Sequence, residues 1–175
     1  VKIKFKQDKK TILKLLKGSN IKRKIKIIDR LNGVNENDSI KILLKVLEDK
    51  SWIMREKAAY KIAEYGNRVV PRLQRLLTRG YWFTRAAACL SLGEIGNIKS
   101  VDPLVKLIFT DENPTVKNEA STALMKIAKN QPLVFSETLR DLLLDKETVD
   151  HILRLLEKAD PDVHLLVKEE LSDVL

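Results

Sequence analysis

The chain has 175 residues, 44% apolar and 33% charged, with a net charge of +9. This fits a folded protein with a charge-rich surface and leaves room for one continuous core. Six glycines and five prolines are too few for long linkers, and the single cysteine, Cys89, excludes an internal disulfide.

The opening VKIKFK alternates lysine with Val1, Ile3 and Phe5, a pattern for a docked or frayed tail rather than a lone strand. A first helix is expected over 8–17, with Ile12, Leu13 and Leu16 on one stripe. Gly18-Ser19-Asn20 ends it and caps a second helix from Ile21 to about Asn32. A polar turn at 35–38 precedes a helix over 39–48, capped by Asp38 or Ser39, with Ile40, Leu43, Leu44 and Leu47 buried. The next helix, 52–65, ends at Gly66-Asn67.

That helix organises the chain, because WIMREKAAYKIAEYGN at 52–67 returns at 82–97 as WFTRAAACLSLGEIGN. Trp52/Trp82, Arg55/Arg85, Ala58/Ala88, Glu64/Glu94 and Gly66/Gly96 coincide, and Leu43/Leu73 and Leu47/Leu77 match at the same offset. Self-similarity at such a period marks stacked repeats. Ile21, Lys24, Ile27, Ile28 and Leu31 fit the same register one repeat earlier. A fourth copy carries Val101, Leu104, Leu107 and Ile108, then Val116, Ala120, Ala123, Leu124 and Ile127. The last 44 residues keep paired helices without the motif; a final helix opens at Asp160-Pro161 with Val163, Leu166, Val167, Leu171 and Val174 on one face. The organisation expected is an all-α solenoid over 1–175: a degenerate basic repeat at 1–35, three clear repeats at 36–131 and an acidic cap at 132–175.

Charge follows the same order. Residues 1–35 hold twelve Lys/Arg against two Asp/Glu, whereas residues 132–175 hold five against eleven. The array is therefore basic at one end and acidic at the other.

The run Arg85, Ala87, Ala88, Leu92, Gly93, Ile95, Gly96 resembles the HEAT repeat in its short, phycobilisome-lyase-like form, most clearly over 38–130. The resemblance implies a right-handed superhelix of antiparallel helix pairs, first helices convex and second helices concave. It also implies a ladder between repeats, from an Asp in the inter-helix turn and an Arg six residues on. Asp49/Arg55 and Asp111/Lys117 fit that ladder, while Arg79 stands where the third repeat's acid belongs. A break is therefore expected between repeats three and four, leaving Arg79 free.

No acid lies between Glu64 and Glu94, yet Arg68, Arg72, Arg75, Arg79 and Arg85 do, four of them on one stripe opposite Leu73 and Leu77. Arginine forks suit carboxylates and phosphates, so the stripe is a candidate strip for an acidic partner; a solvated outer face is the plainer reading. Tyr81 and Trp82, with Trp52 one repeat earlier, add rings that either anchor a partner or pack between neighbouring helices. His151 and His164 lack companions at metal-ligand spacing, and no phosphate loop or nucleophile motif is present, so no cofactor, metal or enzymatic activity is expected. With no apolar signal segment or membrane span, the expected setting is cytoplasmic. The expected role is a protein-binding scaffold. The alternative is nucleic-acid binding through the basic N-terminal half and the Arg68–Arg79 stripe.

Overall fold

The computed structural model describes residues 8–172, which form eleven α-helices joined by short turns and no strand. They are α1 (Lys9–Gly18), α2 (Ile21–Asp29), α3 (Glu36–Val46), α4 (Trp52–Ala63), α5 (Val70–Leu77), α6 (Trp82–Ile95), α7 (Val101–Thr110), α8 (Pro114–Asn130), α9 (Pro132–Asp141), α10 (Lys146–Ala159) and α11 (Pro161–Glu170). The expectations for Val1, Ile3, Phe5 and Val174 lie outside the described residues.

Local chemistry sets most boundaries. The side chains of Asp8, Asn20, Asn113, Asp145 and Asp160 accept backbone N–H bonds at the starts of α1, α2, α8, α10 and α11. The expected start of α3 needs correction. Asn35 caps it, accepting from the Asp38 N–H, and the Ser39 hydroxyl instead donates to the Leu31 carbonyl. Position 39 thus lies inside the helix, on its buried side. The helix expected to reach Asn32 stops at Asp29, followed by a 3-10 turn at Leu31–Gly33. Gly96 takes the left-handed conformation at the end of α6, with φ of 69°, which glycine adopts without Cβ strain.

From α1 to α8 consecutive helices pack as hairpins, and the hairpins stack; the pairing expected to continue past residue 132 fails, because α9 and α10 barely touch and each packs on α11 instead. The second helices α2, α4, α6 and α8 lie against one another in series, α6 on α8 most closely, while the first helices touch only lightly. The second helices thus form the tighter of the two rows. Close approach needs small residues there: a Cβ on Gly93 would lie 2.8 Å from the Ala123 Cα. Ala86, Ala87, Ala88, Cys89 and Leu92 are buried too, so α6 is enclosed on nearly every side. Burial pushes the Cys89 thiol well above its ordinary pKa, which makes it an unreactive packing group.

One apolar core runs from Ile12 to Leu171. Past α8 the stacking changes. Met125 holds the repeat position of Gly93, and α10 packs on α8 much less closely than α8 on α6. A cleft of about 380 Å³ opens at this seam, floored by Met125, Leu155 and Leu156. Helix α11 then covers both α9 and α10. One expectation fails there: Leu166 is exposed, and Val163, Val167 and Leu171 alone form the buried stripe. No helix among the described residues is long and apolar enough to cross a membrane.

Candidate functional site

The inter-repeat ladder explains how the candidate residues are arranged. At two junctions a cation on a second helix reaches the turn of the following repeat. Lys24 of α2 meets Asp49 at 2.6 Å, and Asp49 also accepts from the Ser51 N–H, tightening the turn before α4. Two repeats on, Arg85 forks onto Asp111, its Nε and Nη2 donating at 2.6 and 2.9 Å, and Asp111 accepts from the Asn113 N–H. The Arg85 bond holds the Asp111 carboxyl below the usual aspartate range, against the opposing effect of burial.

The break in the ladder therefore lies between repeats two and three, not between three and four as the sequence suggested. Each cation reaches forward, so Arg79 deprives Arg55 of a carboxylate and leaves Arg85 untouched. Arg55 is only 5% exposed. Its Nη1 donates to the carbonyls of Asp49 and Lys50, and its Nε has no hydrogen-bond partner. Aromatic rings stand where the acid would be. The guanidinium carbon lies 4.8 Å from the Phe83 ring centre and 5.4 Å from that of Trp52. Phe83 in turn stacks on Tyr81 at 5.0 Å and meets Trp82 edge-on at 5.7 Å. A buried guanidinium thus ties five side chains into one array across the junction.

Most of that array faces outward. Trp52 is 39% exposed, Trp82 44% and Tyr81 69%. Ile21, at the same repeat position in α2, is 42% exposed, and Ile53 is exposed beside Trp52. Ile21, Trp52 and Trp82 are each the first residue of a second helix, so they form successive rungs along one edge of the solenoid. Lys22, Lys50 and Arg79 lie within two or three residues of the rungs, all exposed.

The arginine stripe divides. Arg72, Arg75 and Arg79 lie on the outer side of α5 and just past its end, opposite buried Leu73 and Leu77, with no acidic partner among the described residues. Arg68 is exposed but paired with Glu36 of the preceding repeat. The stretch without acids in the sequence was therefore no guide to pairing, because the counterion comes from 32 residues upstream. Arg85 is engaged by Asp111 inside the ladder. Arg79 lies two residues before Tyr81 and three before Trp82, so the end of the stripe adjoins the aromatic edge along the chain. On the second helices Lys57 pairs with Asp29 at 2.7 Å and Lys126 with Glu94, while Lys22, Arg23 and Lys26 of α2 have no acidic partner among the described residues.

Arg55 and Phe83 of the array, and Ile21 on the adjoining edge, were not singled out as site residues in the sequence, Phe83 being visible only as the neighbour of Trp82. Arg55 was visible only as a ladder member, and Ile21 only as a register match. Their register with Arg85 and with the two tryptophans was the available signal. Among the described residues, no group of three or more His, Cys, Asp or Glu is placed to hold a metal. His151 packs edge-on against Phe109.

A family profile of HEAT repeats matches residues 69–163, more than half of the chain. The chain belongs to the HEAT-repeat family. This HEAT-repeat chain is also similar to the phycocyanin operon protein Z of Pseudanabaena tenuis, 30% identical over 139 residues that span 74% of this chain and 68% of that protein. The α-solenoid form accords with a scaffold that binds other proteins.

Proposed function

We propose that this HEAT-repeat chain is a non-catalytic scaffold that binds an acidic protein partner across the outer face of α5 and the adjoining aromatic edge. The observation that carries the reading is the pairing state of the arginines. Arg72, Arg75 and Arg79 lack acidic partners among the described residues, while Arg68 and Arg85 have them. Unpaired arginine forks beside exposed Tyr81 and Trp82 match the composition of protein-binding hot spots.

The test replaces Arg72, Arg75 and Arg79 together by alanine. Binding to an acidic protein should weaken, mainly through slower, salt-sensitive association. Phycocyanin is a first protein to try, because the relative's name ties that relative to its operon. Duplex DNA and RNA are titrated in parallel. Nucleic-acid binding whose log–log salt slope falls by about 0.9 per lost contact would replace the protein reading.

A further inference from the structure

We propose that the rungs Ile21, Trp52 and Trp82 form a binding track for an acidic segment held in polyproline II conformation, with apolar side chains at every third residue. This rests on the acidic-partner reading and specifies its ligand.

The spacing argument comes first. The rungs occupy one position in three successive second helices that pack side by side. Axes of packed helices lie about 8–10 Å apart. A polyproline II chain rises about 3.1 Å per residue with three residues per turn, so every third side chain returns to the same side after about 9 Å. Three consecutive apolar residues of such a segment therefore meet three consecutive rungs. A β-strand cannot match this, because its third residue points to the opposite face.

The charge pattern agrees. Lys22, Lys50 and Arg79 flank the rungs, where acids between the apolar residues would fall. Helices α4 and α6 begin without a side-chain cap and with no acid in their first turns, so no side chain offsets the positive ends of their dipoles. In the fourth repeat the second helix begins at Pro114 in place of a large apolar rung, and the exposed Glu112 beside it repels an acidic segment, which ends the track after three rungs. The rings are also held in advance by the Arg55–Phe83 array, so little ordering is required on binding. A stacked single-stranded nucleic acid fits less well. Ile21 offers no ring face, and Trp82 already packs against Phe83.

Trp52 and Trp82 are the chain's only tryptophans, so emission excited at wavelengths that tyrosine does not absorb reports on the track. The probes are two synthetic acidic peptides of identical composition, one with leucine at every third residue and one with leucine at every second. The first should shift tryptophan emission and bind at least about tenfold more tightly, roughly 1.4 kcal/mol. The double variant Lys50→Glu/Arg79→Glu retains both tryptophans and should lose that binding, with its helical circular dichroism unchanged. Equal binding of the two peptides, still weakened by that variant, overturns the three-residue register and leaves the acidic-partner reading standing. Binding without an emission change, or unaffected by the variant, places the peptide elsewhere and overturns the track. If neither peptide binds while single-stranded or duplex DNA does, both readings fall. If nothing binds, the track is overturned, and the Arg72/Arg75/Arg79 variant against a protein partner decides the broader reading.

Discussion

The guanidinium of Arg55 lies 4.8 Å from the ring centre of Phe83, in the place where Arg85, one repeat later, meets the carboxylate of Asp111 at 2.6 and 2.9 Å. The same side chain in the same register thus meets an aromatic ring at one junction and an acid at the next. At the third junction the fork is charge-assisted, and Asp111 is almost fully buried. Replacing Asp111 by Asn removes the charge and should cost about 2 kcal/mol in denaturant unfolding. Arg79→Asp supplies the acid that Arg55 lacks and should stabilise by roughly 0.5–1.5 kcal/mol. Equal destabilisation by both variants would contradict the forward direction of the ladder.

Gly93→Ala tests the tight seam between α6 and α8. The added methyl would meet backbone and side-chain atoms of Ala123 at 2.8 and 2.9 Å, and neither is the far end of a flexible chain. Overpacking should exceed the gain in helix propensity, for a net loss of roughly 1–2 kcal/mol. Gly18→Ala is the control: nothing lies within 4 Å of its added Cβ, so its thermal midpoint should hold or rise.

Acid should unfold the protein over a defined range. Asp8 and Asp145 are held below the usual aspartate pKa by the backbone N–H groups of Thr11 and Thr148, Asp111 by Arg85 and Asp160 by Lys129. A lowered folded value means the stabilisation is present above the unfolded pKa of about 3.9 and is lost as pH falls through the folded values. Stability should therefore drop below about pH 4, and the deficit of Asp111→Asn should shrink there. Glu119 has the opposite sign, because burial, with Glu56 nearby, raises its pKa. Its contribution fades as pH rises through that raised value. Glu119→Gln should raise the thermal midpoint near neutrality and change it little in acid.

Removing residues 132–175 should strip cover from α7 and α8. Phe135 and Leu139 of α9 are buried in the continuous core, Lys129 pairs with Asp160 at 2.8 Å, and Gln131 donates to the Gly96 carbonyl at 2.7 Å. Because interfaces between neighbours supply much of a repeat's stability, the shortened chain should aggregate or melt far lower. A monomer of unchanged midpoint by light scattering and calorimetry would show that α9–α11 have no covering role.

The sequence by itself determined the all-α solenoid and its repeat register. Both follow from local periodicity: apolar stripes at helical spacing, Gly96 at a left-handed turn, and small residues recurring at Ala58/Ala59 and Ala87/Ala88. The burial of Leu73 and Leu77 opposite Arg72 and Arg75 was legible for the same reason, since a helix fixes which residues share a face. Tertiary structure alone decided the direction of the ladder, because a cation six residues past an acid has two neighbouring repeats to choose from. Stacking geometry sends it forward, which moved the break to Arg55. Tertiary structure also decided pairing: Arg68 found Glu36 across a repeat boundary, beyond the reach of any local charge count. Finally, it exposed the rungs. A residue recurring at one register position reads as a repeated core contact, yet Ile21, Trp52 and Trp82 stand at helix starts, where the seam between second helices runs out to solvent.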